Sequence, residues 1–318
     1  MKVPRPWALP QQPATREQLL SPTITAAMLR TAIKSGALRR VRPAVYLAAE
    51  QWPVDPAEQH LVLARAELAV HPGGVMSHES AGVLWRLPSP SRHWHQSLPT
   101  ITLPRRSGDR SRGGLATYRT ATLPSHHVTS DPNGYDVTTV ARTAVDLARG
   151  EELPQALVVL DAAARLLVAE IVPQPRREHF ANSRLVRAAR ESLDEAAGGR
   201  GVAALRKAIT LTDPRRESPI ESLSAGHFHV AGLPTPEFQY PIRTANGWYY
   251  ADCYWEAARL IGEADGKEKY RDPEEIIREK GRQQTLDDQD FRFVRWSGSE
   301  IWWTPPVVVA RVARRLGL

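Results

Sequence analysis

The stretch WYYADCYWEAARLIGEADGKEKY, residues 248–270, decides the reading of the chain. Asp252 interrupts a run that is otherwise aromatic and apolar. A carboxylate in such a run is costly to bury unless it is paired or bound to a metal. Glu263, Asp265 and Lys267 follow at alternate positions. Residues 248–254 and 259–265 read as strands, so Glu263, Asp265 and Lys267 fall on one face, and a hairpin partner sets Asp252 beside it. Two acids on one strand face repel each other unless a cation or proton intervenes. Carboxylates that converge near a lysine form the oxygen donor set for a hard cation such as Mg²⁺ or Mn²⁺. Such a cation polarises a phosphodiester and activates water, and Lys267 is placed to orient that water or to meet charge on the phosphate.

Outward from this stretch, residues 213–318 read as one α/β unit. Ser218, Pro219 and Glu221 mark N-cap, N1 and N3 of a helix, so Glu221 has a local role as a capping residue and is also a candidate oxygen ligand. A strand over 239–244 follows, with a turn at Asn246 and Gly247. Asp272-Pro273-Glu274-Glu275 opens a helix to about 285, 291–296 reads as a strand and 306–316 as a closing helix. Arg282 and Arg295 have two readings, as phosphate contacts or as structural ion pairs, with Arg282 favoured as structural. Trp296, Trp302 and Trp303 read as packing residues.

The residues RESPIES (216–222), FQ (238–239), Asp252, EADGKEKY (263–270), EKGR (279–282) and FRFVRW (291–296) together resemble a PD-(D/E)XK nuclease-like domain. They are similar to the very-short-patch-repair endonuclease branch and its relatives of unknown function. The resemblance covers about a third of the chain. It implies catalytic roles for Asp252, Glu263, Asp265, Lys267 and Glu221, with Asp252, Glu263 and Asp265 holding Mg²⁺ or Mn²⁺. Both Glu263-x-Asp265 and Asp265-x-Lys267 fit as the core pair. The relatives often carry a histidine shortly after the Asp-Gly, where this chain has Lys267 and Lys269. Cys253 is the one cysteine, so the structural zinc site of the repair enzymes has no counterpart and mismatch repair is set aside.

The other informative region is the first fifty residues. They hold eight basic side chains, among them Arg30, Lys34, Arg39, Arg40 and Arg42, against Glu17 and Glu50, which is +6 of the chain's net +7. A basic module beside a near-neutral remainder is the footprint of phosphate-backbone binding. Residues 15–20 and 25–35 read as helices, Gly36 as a stop, and 37–48 as two short strands turning near Arg42-Pro43-Ala44. TREQLL (15–20), KSGALRRVRPAVYL (34–47), SHESAGVLW (77–85) and TTVARTAVDLA (138–148) resemble AbiEi-type antitoxins of type IV toxin–antitoxin systems. Gly36, Arg40, Val41, Val45 and Tyr46 match the usual wing, and Ala44 replaces its usual glycine. The resemblance implies a winged helix whose 25–35 helix enters a major groove with Arg30 and Lys34 on its basic face, while Arg39, Arg40 and Arg42 ride the phosphates or reach the minor groove as a wing.

Between these regions, 57–69, 78–84 and 139–148 read as helices, 100–103 and 115–118 as strands around a basic loop at 105–114, and 154–168, 184–197 and 202–210 as helices, with a loop over 171–182 and a helix–helix turn at 198–201. His78 and Glu79 start a helix and read as structural. At 42% hydrophobic and 24% charged the composition is that of a globular protein. With no apolar run of about 18 residues and no secretory signal, a cytoplasmic protein off the membrane is expected. The expected fold is multidomain α+β. It comprises a winged helix-turn-helix at 1–50, a mixed middle region at 51–150, a helical connector at 151–212 and an α/β restriction-endonuclease-like domain at 213–318. Two functions follow. One is a metal-dependent DNA endonuclease in phage defence or a toxin–antitoxin setting. The other is an AbiEi-like antitoxin and transcriptional repressor with a degenerate nuclease fold. DNA is the expected partner of either, with a cognate toxin, engaged by 51–212, as a further one. The DNA site and oligomeric state are not legible.

Overall fold

The computed structural model describes residues 7–90, 94–104, 115–198, 202–244, 247–265 and 289–318. Twelve α-helices and three sheets occur among them, a mixed α+β chain. It divides into two units, Met1–Leu147 and Ala148–Leu318, so the 1–50 and 51–150 regions share one unit, and the connector helices share the other with the C-terminal α/β region.

The first unit opens on β1 (Ala14–Thr15) and α1 (Arg16–Leu19). Thr15 caps α1 through a reciprocal box: its hydroxyl accepts from Gln18 N at 3.2 Å, and the Gln18 side chain accepts from Thr15 N at 2.8 Å. Thr25 caps α2 (Ala26–Lys34). Gly36 ends this stretch at φ +78°, where a side chain would be strained. The hairpin β2 (Leu38–Arg42) and β3 (Val45–Ala48) follows, and β1 pairs on the far side of β3. Leu19, Leu29, Ala32 and Leu38 form the small core beneath it. The helix–helix–hairpin order read from the sequence is present. Ala44 makes the hairpin turn at φ +62°, in the left-handed region that glycine tolerates and alanine does not.

The same unit continues with α3 (Pro56–Val70), capped by Asp55, then β4 (Val75–Met76), α4 (His78–Leu84), β5 (Thr100–Leu103), β6 (Thr117–Thr120), β7 (Val128–Ser130), β8 (Asp136–Thr138) and α5 (Val140–Ala148). The sheet order is β6-β5-β4-β8-β7. Leu61, Ala64, Leu68, Met76, Ala81, Ile101 and Val137 are its core. The strand expected at 115–118 sits two residues later because Thr117 pairs with Thr100. His78 and Glu79 are structural, as expected: His78 contacts the Ser77 hydroxyl, and Glu79 accepts from Thr100.

In the second unit α6 (Leu153–Ile171) is buried over most of its length. It is followed by α7 (Arg177–Ala181), α8 (Ser183–Ala197), α9 (Ala203–Leu211) and α10 (Pro219–Val230). α7 lies within the expected loop 171–182, where Phe180 is buried. Gly226 lets α10 meet α6, since a Cβ there would lie 2.4 Å from Pro154 Cα. The sheet comprises β9 (Glu237–Thr244), β10 (Gly247–Trp255), β11 (Leu260–Asp265) and β12 (Arg292–Ser297), in order β12-β11-β10-β9. β11 and β12 are parallel and the other pairs antiparallel. A parallel pair needs a crossover; the expected helix at 272–285 lies outside the described residues, as do Asn246, the 105–114 loop and 199–201 of the expected turn. The chain closes with α11 (Gly298–Trp303) and α12 (Pro305–Leu316); α11 was not anticipated.

α10 lays Leu223 and Phe228 against Trp255 and Trp296, with Phe228 ring centroids 5.8 and 5.4 Å from theirs. Gly262 makes room for both tryptophans; a Cβ there would meet their rings at 2.8 and 2.9 Å. Trp296 is core and Trp302 packs against it, as expected, whereas Trp303 is 70% exposed and packs no core. Its position at the last turn of α11 turns it outward. No helix among the described residues is long and apolar enough to cross a membrane.

Two substitutions test this packing by chemical denaturation. Ala44→Gly should stabilise the first unit by up to about 1 kcal/mol, because relief of left-handed strain exceeds glycine's added chain entropy. Gly262→Ala should destabilise the second by about 1–3 kcal/mol through overpacking.

Candidate functional site

The acidic site begins with a helix cap. Ser218 accepts from Glu221 N at 3.3 Å, and its hydroxyl donates to Glu221 Oε1 at 2.8 Å. Glu217 N donates to Glu221 Oε2 at 3.0 Å. The capping role read from the sequence is therefore real, yet Glu221 is only 5% exposed, far more buried than a cap at a surface helix end.

The cause lies on β9 and β10. Tyr249 and Ala251 pack in the cluster that holds Tyr240 and Ile242, whereas Cys253 and Trp255 pack in the other, with Phe238. Strict alternation would put all four β10 residues on one face. The switch falls on Asp252 and its neighbour Gln239, whose backbone is left-handed at φ +53°. Gln239 Nε2 donates to Glu221 Oε2 at 3.0 Å and to Asp252 Oδ1 at 3.2 Å, so one amide bridges two carboxylates. The Gln239 carbonyl oxygen accepts from Arg177. Asp252 Oδ2 accepts from Ala264 N at 3.0 Å, next to the Cys253–Gly262 pair of the β10–β11 ladder.

Burial first, and the nearby Asp252 charge second, push the Glu221 carboxyl up to about 7, against the hydrogen bonds from Glu217, Ser218 and Gln239. Burial, with Asp252 and Glu221, also raises the Cys253 thiol well above its ordinary value, so this cysteine stays a neutral core residue.

Glu263 is buried on β11, with Arg295 Nη2 of β12 at 4.0 Å. Parallel pairing sets these two residues side by side, which supports the ion-pair reading of Arg295. Asp265, half-buried, ends β11 opposite Ser297. Among the described residues, no three of Glu221, Asp252, Glu263 and Asp265 bring ligand atoms within 4.8 Å of one another. Asp252 is joined to Glu221 through Gln239, while Glu263 adjoins Arg295. Lys267 and Arg282 lie outside the described residues, so the choice between Glu263-x-Asp265 and Asp265-x-Lys267 stays open.

The basic face in the other unit is α2 and the hairpin. Arg30 and Lys34 are exposed on α2, and Arg39 and Arg40 on β2. Arg39 stacks its guanidinium over Trp52 at 3.8 Å. Arg42, expected as a DNA contact, has a partner within the chain. It pairs with Glu67, whose side chain is 3% exposed and also accepts from Tyr118 OH at 2.7 Å. A buried carboxylate needs this partner, so Arg42 ties the hairpin to α3. Burial and the Glu67 contact push the Tyr118 phenol up to about 12.

The sequence matches no protein-family model. It is similar to uncharacterized proteins of Mycobacterium tuberculosis, in strains CDC 1551 / Oshkosh and ATCC 25618 / H37Rv. Each is 32% identical over 189 residues, covering 58% of this chain and 63% of the relative. The match thus spans less than two thirds of those relatives.

Sequence reasoning singled out Glu221 and Asp252 but gave no role to Gln239 or Arg177. Gln239 stood in the quoted Phe-Gln pair. Arg177 lay in a segment without periodicity and carried no signal.

Two tests follow. A carboxyl whose pKa is raised on folding binds its proton more tightly in the folded state. Its stabilising contribution is full below about 4.5 and is lost as pH rises through about 7. In chelator, Glu221→Gln, which keeps the cap, should remove a fall on the order of 2 kcal/mol between pH 5 and pH 8 in denaturation midpoints. Arg42→Ala should lower stability by about 3 kcal/mol by stranding Glu67, whereas Arg40→Ala should stay within about 0.5 kcal/mol of wild type.

Proposed function

We propose that this chain is a DNA-binding protein whose C-terminal unit hydrolyses DNA phosphodiester bonds with Mg²⁺ or Mn²⁺. The observation that carries the reading is the buried Glu221 and the half-buried Asp252 held by one amide nitrogen, at the point where β10 changes face. Two neighbouring carboxylates repel each other, and a divalent cation relieves that repulsion better than an amide does. The donor set fits such an ion in kind: all oxygen, acidic, and braced by hydrogen bonds from Ser218, Glu217 and Ala264. Asp252 and Glu221 would hold it, with Glu263 or Asp265 completing the set. A bound Mg²⁺ or Mn²⁺ supplies a polarised phosphate and a water of lowered pKa. Gln239 would give up its bridge to such an ion, and Lys267 would orient the water or meet phosphate charge.

The N-terminal helix–helix–hairpin supports a winged-helix reading, with α2 in the major groove. Arg30 and Lys34 on α2, and Arg40 on β2, meet DNA, and Arg39 remains stacked on Trp52 while it does so. The AbiEi resemblance gives the setting, phage defence or a toxin–antitoxin pair with a toxin as protein partner.

One observation favours the repressor reading. No three of the four acids converge, and Glu263 adjoins Arg295. On that reading the nuclease fold is degenerate and the basic face alone acts.

A cleavage assay on plasmid and linear DNA separates the two. The nuclease reading expects Mg²⁺- or Mn²⁺-dependent cleavage that Asp252→Ala lowers by more than the roughly 10–100-fold of a lost supporting contact around a metal. Salt-sensitive duplex binding without cleavage by either protein supports the repressor. On both readings, alanine at Arg30, Lys34 or Arg40 should weaken duplex binding and reduce the slope of log affinity against log salt by about 0.9 each.

A further inference from the structure

Beside the acid pair lies a cavity of about 280 Å³ whose walls include Arg165, Arg177, Arg215, Gln239 and Tyr250. Its acidic wall residues are Glu178 and Glu217, and Glu217 lies between two arginines, 3.3 Å from Arg177 and 3.8 Å from Arg165. Both distances exceed the 2.7–2.9 Å of a strong charge-assisted hydrogen bond, and the Glu217 side chain is 35% exposed. A loosely held, exposed carboxylate between two guanidinium groups occupies the place a phosphate would take. Arg177 also donates to the same Gln239 amide that bridges Glu221 and Asp252, so the cavity adjoins the acids directly.

The β9–β10 hairpin extends the surface. Tyr249 and Ala251 face the apolar cluster, so Trp248 and Tyr250 face the other way, and they are 58% and 37% exposed. Arg177 lies over the Tyr250 ring at 4.3 Å, and Arg243 over the Trp248 ring at 5.3 Å. Two residues apart on a strand is about 6.6 Å, twice the ~3.4 Å step of bases stacked in a duplex strand. Bases stack on aromatic rings and on guanidinium planes alike, and this spacing suits bases splayed apart.

From these features we propose that the Arg165–Arg177–Arg215 cavity with the Tyr250–Trp248 face is a binding track for single-stranded nucleic acid. A backbone phosphate sits between Arg165 and Arg177 in place of Glu217, beside an Arg215 that Asp213 holds, and unpaired bases lie on the two aromatic–arginine steps. The track deepens the phosphodiesterase reading by giving its substrate class, an unpaired strand next to Glu221 and Asp252.

The test is fluorescence anisotropy of the full chain in chelator with labelled oligo-dT, oligo-U and a mixed-sequence duplex. Without a cation no cleavage occurs, so a catalytically dead protein leaves this test intact. The double variant Trp248→Ala/Tyr250→Ala should bind oligo-dT about 10-fold or more weaker, since stacking of one base is worth about 1–3 kcal/mol. Tyr250→Phe should retain binding, Arg177→Ala should weaken it, and duplex affinity should hold in all three. Loss on oligo-dT alone makes the ligand a DNA strand, and loss on both strands makes it either chemistry; each supports the track. Because Trp248 is mostly exposed, Trp248→Ala alone keeps the fold and should still show a loss. Wild-type affinity of the double variant for both strands, or an equal loss on strands and duplex, overturns the proposal.

Discussion

One amide organises the C-terminal unit's candidate site. Gln239 Nε2 sits between Glu221 and Asp252, and without it a buried and a half-buried carboxylate would face each other with no donor between them. Everything around it serves that contact. The left-handed backbone at Gln239 turns its side chain toward the acids, the change of face at Asp252 brings that carboxylate to the helix, and the Ser218 cap fixes Glu221. The raised Glu221 carboxyl is the electrostatic cost of the arrangement. Sites that hold strained backbone and raised carboxylates together are common where charge is to be handled.

The N-terminal unit solves a different problem. A small helix–helix–hairpin has little core of its own, here a cluster of Leu19, Leu29, Ala32 and Leu38. Arg42 fastens the hairpin to α3 by entering a buried pair with Glu67. That contact takes Arg42 out of the exposed basic face, where Arg30, Lys34 and Arg40 remain. Arg39 stands between the two roles, stacked on Trp52 yet on the exposed strand face.

Much of the order of elements was legible. α3 and α6 were read as helices over 57–69 and 154–168, and Ser218, Pro219 and Glu221 gave the start of α10. The helix at Gly298–Trp303 carried its own signal, Ser297 followed three residues later by Glu300, and was passed over because the strand reading ran up to it. β4, β7 and β8 are too short to show alternation. α7 is five residues in a segment of prolines and charges. At the site, Asp252 was legible because an acid in an aromatic run demands a reason. Its bridge to Glu221 through Gln239 was not, because the alternation rule places Asp252 beside Glu263, and the break at Gln239 depends on a backbone angle that no periodicity reports. The role of Arg42 was hidden likewise, since the acid it neutralises lies twenty-five residues away on another helix.

The central claim is that Glu221 and Asp252 together form a site for a divalent cation. Titration with Mn²⁺, followed by electron paramagnetic resonance of the free ion, tests it without reference to any substrate. The account predicts saturable binding by the wild-type chain, lost in Asp252→Asn and weakened in Glu221→Gln. Absence of binding by the wild-type chain, or equal binding by Asp252→Asn, would contradict it.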